Sequence, residues 1–451
     1  MTEARTHRLL EYPPQKGGLV ELKDGRLMGI IRGMLKFYSE DCGLTWTEPE
    51  PVLDNGTQII SEADPVGVLR LQSGAIGVTS YRPVRADELP DRGEATARRL
   101  QQQPQRGLFF RKSLDEGETW TREVLVSPPG LVGWYALNDT MIQLSSGRLL
   151  WPCYGGSSAA EPNPKPLIEG QDRGIGHLWS PENVWATKFF YSDDEGEMWQ
   201  ASDGEMMLWI DEGYGNFDAM HEPTAAETND GRVLCLARCA QMRAVQTYSD
   251  DDGAQWTLPE LSGLNSANAP IRVRRIPSTG DLMVVWNQVT AKEHREAWGR
   301  CRLSAAISTD NGRTWTNFRN IHVSPGMDDS PRVSDPEPPQ FVRPGSATKP
   351  HDPIPDNPIG GRLRASYPNF WIFGEEVFIE HDYWYRVDPW GTYRVPEKWK
   401  DLTKDRNRRT STGHLLSSLP RRLHILPLKW FYGNQTASSS SARSVRNTRL
   451  S

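Results

Sequence analysis

Six stretches of the chain set a short apolar run, a polar turn carrying glycine and a second apolar run in succession. They are 19–31 (LVELKDGRLMGII), 67–80, 141–155, 224–238, 273–287 and 367–381 (YPNFWIFGEEVFIEH). Within each arm the apolar positions recur with a period near two, which is the signature of strands rather than helices. Each stretch therefore reads as a β-hairpin, the sixth turning at Gly374. Helical periodicity is confined to a short segment near 93–103.

A second pattern lies between the hairpins: Ser, two on Asp, two on Gly, three on Trp. It occurs at 39–46 (SEDCGLTW), 113–120, 192–199, 249–256 and 308–315, with serine-to-serine intervals of 74, 79, 57 and 59. Those intervals suit a four-stranded blade with loops of variable length. In each such Asp-box the aspartate accepts hydrogen bonds from turn amides, as Asp41 would. The glycine (Gly43 in the first) takes a backbone shape costly for other residues, and the tryptophan (Trp46) packs back over the turn. The boxes are a folding device; each has too few acids for a dense calcium loop. Six hairpins and five boxes predict an all-β fold, a six-bladed β-propeller with five Asp-box turns.

This pattern divides the chain into an N-terminal extension (1–14), the propeller (15–400) and a basic, Ser-rich, partly disordered tail (401–451). A Pro-rich insertion at 323–362 and a long polar loop at 82–106 interrupt the ring. An open ring would expose unpaired strand edges, so one terminus is expected to complete a blade begun at the other, with the stretch after 380 as partner.

Composition mainly excludes. With 52 basic and 58 acidic residues the formal charge is -6, which provides no basic field for nucleic acid. The five cysteines form no CxxC pair and the nine histidines no short ligand motif, so neither a metal nor an organic cofactor is expected. No apolar run is long enough to span a membrane. The segment MTEARTHRLLEYPPQ lacks the apolar core of a secretory signal. The sequence as written reads as cytoplasmic, with secretion open if the start is incomplete. It carries no signal for an oligomeric state.

Five Asp-boxes in a chain of hairpins resemble the sialidase (neuraminidase) superfamily, the BNR-repeat proteins, over roughly residues 15–390. The resemblance implies an exo-acting glycoside hydrolase whose partner is the terminal sugar of a glycan, sialic acid or a related acidic sugar. Members hold the sugar carboxylate with three arginines and use a tyrosine nucleophile, a glutamate that activates it and an aspartate as general acid. Carried onto this sequence, Tyr367 is the nucleophile and Glu222 its base. Arg238 and Arg302 would bind the carboxylate. Glu222 and Tyr367 also share one phase relative to their hairpin turns, at the axial end of the blades.

The sequence departs from that pattern at two places. The first arginine falls near Lys16, and Arg32 stands where the family's acid is expected. The acid is therefore assigned to Asp64, in axial phase in the second hairpin, with Asp139 as reserve and His221 as a polar wall or proton carrier. Trp134, Trp151, Trp185 and Trp371 include possible sugar-stacking surfaces. Two other functions fit the same scaffold: a hydrolase or lyase for a different sugar, and a non-catalytic propeller that binds glycans or proteins.

Overall fold

A computed structural model describes residues 7–12, 16–59, 67–85, 88, 106–127, 133–157, 167–168, 171–172, 184–207, 220–239, 243–290, 292–293, 298–332, 363–387, 407–409 and 415–433. Six antiparallel sheets form the blades of a propeller. Blade 1 runs from the axis outward as Gly17–Glu21, Leu27–Ile31, Leu35–Ser39 and Glu50–Pro51. Blades 2 to 5 repeat the plan, their innermost strands being Gly67–Arg70, Ile142–Gln143 with Gly133–Tyr135, His221–Glu227 and Arg272–Arg275. Blade 6 starts with Leu363–Phe373 and Glu376–Val387. All six hairpins read from the sequence are the two inner strands of a blade.

The ring closes with both ends of the chain. Leu415–Pro427 pairs with Glu376–Val387, and Arg8–Tyr12 adds the outermost strand beside it. The first of these strands lies in the segment assigned from sequence to the tail, the second in the N-terminal extension. Closure is favourable because it removes the unpaired edge of the sixth sheet. The stretches 93–103 and 333–362 lie outside the described residues.

Each interface between neighbouring blades has its own apolar cluster. The one between blades 6 and 1, with Leu19, Phe37, Trp371, Phe378 and Ile425, seals the ring; the other five lie between blades 1 and 2, 2 and 3, 3 and 4, 4 and 5, and 5 and 6.

The five boxes begin on the last residue of the third strand in blades 1 to 5 and lead to the fourth. In the first, Ser39 Oγ donates to Asp41 (2.9 Å) and accepts from the Gly43 amide (2.8 Å). Asp41 in turn accepts from the amides of Leu44 and Thr45. The same serine-to-glycine bond recurs at 2.8 Å in the other four. Each box also rests on the blade before it. A Cβ on Gly196 would lie 2.1 Å from Phe110 of blade 2, and one on Gly253 2.6 Å from Leu150 of blade 3. Glu116, Glu195 and Asn311, the residues before the box glycines, accept from the hairpin-turn amides of Lys23, Ser73 and Asn229 in the preceding blade. In blade 6 the third and fourth strands come from opposite ends of the sequence, so no turn joins them. Five boxes for six blades follow from that closure.

Candidate active site on the propeller axis

The innermost strands bring their starting residues together at one end of the axis. Lys16 precedes the strand of blade 1, Glu222 lies in that of blade 4, Arg272 opens that of blade 5 and Tyr367 lies in that of blade 6. Tyr367 and Glu222 occupy matching places. Each lies at a register shift between the first and second strands, Ser366/Asn369 in blade 6 and His221/Thr224 in blade 4. Each has left-handed backbone, φ 51° at Tyr367 and 50° at Glu222, and each is followed by a proline, Pro368 or Pro223. The bulge turns both away from the regular pleat.

A cleft at this end is lined by Lys16, Asn138, Arg272, Tyr367, Asn369, Glu380 and Arg421, among others. The Lys16 ammonium lies 3.7 Å from the centre of the Tyr367 ring, a cation–π contact. It also pairs with Asp382 at 3.1 Å. Arg421 is buried and bridges Asp382 and Glu380, its Nε lying 3.3 Å from Glu380 Oε2. Burial opposes ionisation of Asp382, but Arg421 and Lys16 outweigh it and hold that carboxyl below its usual range. Glu380 is the converse case. Burial, aided by the charges of Asp382 and Asp139, raises it to about 7 against the pull of Arg421.

Arg272 is 4% exposed. Its Nη2 donates to the Asn138 carbonyl (2.8 Å) and its Nε to that of Pro368 (3.4 Å). Burial, then the neighbouring Arg274, depress it to about 9 although Asp139, Glu380 and Glu222 act the other way.

The other residues singled out in the sequence lie as follows. Glu222 and Arg238 are both buried and form an ion pair at 2.7 Å. Arg302 is wholly buried but does not line the cleft; its Nη2 meets Glu293 at 2.7 Å, and its head donates to the carbonyls of Ser330 and Asp328. Arg32 is exposed, its amide bonded to the Lys16 carbonyl. His221 is buried edge-on against Tyr154. Asp64 lies outside the described residues. Of the four tryptophans, Trp151 is buried between blades 2 and 3, Trp134 packs on Phe190, and the side chain of Trp185 lies outside the described residues.

Asp139, the reserve acid, forms a hub across the axis. Its Oδ1 accepts from the Val68 amide of blade 2 (3.1 Å), and its Oδ2 from Arg274 of blade 5 and Trp371 of blade 6 (2.6 Å each). Blade 1 must approach with glycine, because a Cβ on Gly18 would lie 2.5 Å from Asp139 Oδ1. Asp139 does not line the cleft of Tyr367. It faces a wider funnel of about 440 Å³ toward the other end of the strands, which Leu22, Arg70, Trp371 and Phe373 also line. The hub thus separates two axial openings.

Sequence reasoning missed Arg272, Glu380, Asp382 and Arg421. The signal for three of them was a charge inside an apolar hairpin arm, IRVRRI for Arg272 and VFIEHDY for Glu380 and Asp382. Arg421 stands in a segment read as tail.

Among the described residues no group of three or more His, Cys, Asp or Glu side chains is placed to hold a metal ion. No helix among them is long and apolar enough to cross a membrane.

Residues 92–379 match the family described as BNR repeat-like domain. No curated protein matches the sequence. Several solved structures share the fold over nearly the whole chain. A protein of unknown function from Dyadobacter fermentans is 16% identical with TM-score 0.50, covering 94% of this chain and 99% of that one. The NanB sialidase of Streptococcus pneumoniae is 11% identical with TM-score 0.51, covering 95% and 69%. The intramolecular trans-sialidase of Ruminococcus gnavus, solved with oseltamivir carboxylate, is 13% identical with TM-score 0.50, covering 95% and 96%. At these identities the likeness is one of fold.

Proposed function

The chain belongs to the BNR repeat-like family, and from that premise we propose that it is an exo-acting glycoside hydrolase removing a terminal sialic acid or related acidic sugar through Tyr367. The observation that carries this reading is the matched geometry of Tyr367 and Glu222. Left-handed backbone is unfavourable for bulky side chains and more so before proline. Such strain at the same level of two blades, with Tyr367 lining the axial cleft, is the pattern of a functional site.

In the proposed reaction Glu222 takes the phenol proton of Tyr367, and the tyrosine oxygen bonds to the anomeric carbon. The glycosidic bond breaks, and its electron pair and a proton from the general acid go to the leaving oxygen. The acid's conjugate base then draws a proton from water as the water oxygen displaces tyrosine, whose oxygen takes its proton back from Glu222. Arg238 orients Glu222 through their ion pair at 2.7 Å, and the Lys16 ammonium lies 3.7 Å from the centre of the Tyr367 ring. Asp64 is the acid proposed from sequence. Glu380, which lines the cleft and titrates near 7 because of its burial, is the second choice.

The test is turnover of aryl glycosides, sialosides included, by wild type and Tyr367→Phe. Sialoside hydrolysis is expected, with kcat/KM reduced by at least about 10²-fold in the variant. Equal rates would remove the tyrosine from the mechanism, and turnover of neutral glycosides alone would place the enzyme with another sugar. If Glu380 is the acid, kcat/KM declines as the pH rises past about 7, because the protonated form is the active one.

A non-catalytic glycan-binding propeller is the second reading. It is favoured by the buried ion pair at Glu222 and by the full engagement of Asp139. Glycan binding without turnover, unchanged in Tyr367→Phe, is its expected result.

A further inference from the structure

The strained backbone of Tyr367 is braced by neighbouring blades. The ladder between the first two strands of blade 6 stops at Ser366 and resumes at Asn369, so the bulge of Tyr367 and Pro368 lies off it, and a proline has no amide to offer a partner. Left-handed backbone at a bulky residue persists only where its surroundings over-determine it. After the tyrosine, the Pro368 carbonyl accepts from Arg272 of blade 5 (3.4 Å), and Asn369 Nδ2 donates to the Gly17 carbonyl of blade 1 (3.2 Å). Before it, both main-chain groups of Ala365 are bonded to blade 5. The Ala365 amide donates to the Arg300 carbonyl (3.0 Å), and its carbonyl accepts from the side chain of Asn287 (2.7 Å).

Asn287 follows the second strand of blade 5, Leu282–Trp286, and is 1% exposed. Its Nδ2 donates to the Arg302 carbonyl as well (2.8 Å), so one amide group ties the third strand of blade 5 to the first strand of blade 6. Both partners are carbonyls, which fixes the end of the side chain that faces them. The other end, Oδ1, is buried without a hydrogen-bond partner among the described residues. An unpaired buried acceptor costs stability, a cost that a purely structural role does not explain. We infer that Asn287 is a positioning residue for Tyr367. By fixing the Ala365 carbonyl it sets the direction in which the strand enters the bulge, and with it the place of the phenol in the cleft. The inference rests on reading Tyr367 as the nucleophile. Asn287 does not line the cleft, so it acts through the backbone and not on the sugar. Arg272 and Asn369, which brace the other side of the bulge, do line it and so combine the two roles.

Two measurements on Asn287→Ala test this, with Gly117→Ala, in the box of blade 2, as the control for general loss of stability. The first is aryl sialoside hydrolysis below the melting temperature of every variant. Asn287→Ala is expected to lose at least about tenfold in kcat with KM within about twofold of wild type, and Gly117→Ala to keep both. The second needs no turnover. In protein labelled with fluorotyrosine, the fluorine resonance of Tyr367 is assigned by its absence from Tyr367→Phe. It is expected to be single in wild type and Gly117→Ala, and displaced or split in Asn287→Ala. Asn287→Ser retains one donor and is expected to fall between, which keeps both measurements open if Asn287→Ala does not fold. A kcat loss no greater than that of Gly117→Ala, a loss carried by KM, or an unmoved resonance would each overturn the inference. A displaced resonance with no sialoside turnover by wild type upholds the positioning and removes the hydrolase reading. Turnover with kcat and resonance both unchanged in Asn287→Ala overturns the positioning and leaves the hydrolase reading in place.

Discussion

Arg238 and Glu222 are 2% and 4% exposed and 2.7 Å apart. A buried pair of this kind adds little over an apolar pair, yet removing one partner strands the other charge. Arg238→Met is therefore expected to destabilise the fold by about 3–5 kcal/mol, and adding Glu222→Gln to recover much of it. Urea denaturation of the two proteins measures this; a double variant no more stable than the single one would show that the loss is not electrostatic. Glycines separate two other effects. Gly117 has φ +91° with Met28 no nearer than 3.5 Å to an added Cβ, whereas Gly196 has φ +93° and Phe110 at 2.1 Å. Gly117→Ala is expected to cost about 1 kcal/mol for backbone strain, and Gly196→Ala a further 1–3 kcal/mol or so for overpacking. Equal urea midpoints for the two would refute the packing of boxes on the preceding blade.

At the scale of the element, the outermost strand of blade 6 is bonded to its neighbour through a chain of histidines as well as through its backbone. His381 Nδ1 faces the Asp382 carbonyl at 2.9 Å, so it carries the proton and Nε2 accepts. His424 Nε2 then donates to it (2.9 Å), and His7 Nε2 donates to His424 Nδ1 (2.8 Å). With these tautomers a proton added to His381 or His424 sets N–H against N–H. Burial lowers His381 to about 3 and the adjacent His322 to about 4, and it lowers His424 and His7 as well. Folded values below the unfolded value of 6.5 mean that the unfolded chain binds more protons in this range. The stability that the buried rings of His381, His424 and His322 contribute is complete above pH 6.5 and is lost as the pH falls toward 4, by roughly 1.4 kcal/mol per pH unit for each ring that differs; the exposed His7 contributes less, because solvent screens it. The Asp-box aspartates titrate lower: Asp41 and Asp115 are held at about 2 by the hydroxyls of Thr45 and Thr119 and by turn amides. A falling melting temperature between pH 6.5 and 4.5, with amide exchange of Arg8–Tyr12 accelerating first, is the expected result. A flat profile across that window would refute the role of the histidine chain.

For the whole molecule the decisive residue is Asp139, because it holds blades 2, 5 and 6 to blade 3 across the axis. The six apolar clusters join each blade only to its neighbours. Asp139→Ala leaves the Trp371 indole and the Val68 amide without their acceptor and Arg274 without its carboxylate partner, and is expected to cost about 3–5 kcal/mol, the range for a buried charge left unpaired. Hydrogen exchange should then rise in the innermost strands of all four blades together. Exchange raised in blade 3 alone would mean that the hub does not couple the ring.

The sequence by itself determined the strand pairs, the number of blades and the axial level of Tyr367 and Glu222. Those features depend on short-range alternation and on turns whose bonds span two to four residues, as between Ser39 and Gly43. The composition of the cleft was decided only in three dimensions. Arg274 reaches Asp139 across 135 positions and Asn369 reaches the Gly17 carbonyl across 352. Which side chains meet at the axis depends on the rotation accumulated around six blades, and no local period encodes it. Arg302 and Arg272 both stand in apolar strands of blade 5. One lies on the third strand and finds Glu293, while the other opens the first and faces the cleft. Arg421 was read as tail because its place beside Glu380 exists only once the far end of the chain has returned to close the ring with the N-terminal strand. That closing contact joins residues hundreds of positions apart, so it is a property of the folded ring and of no segment in it.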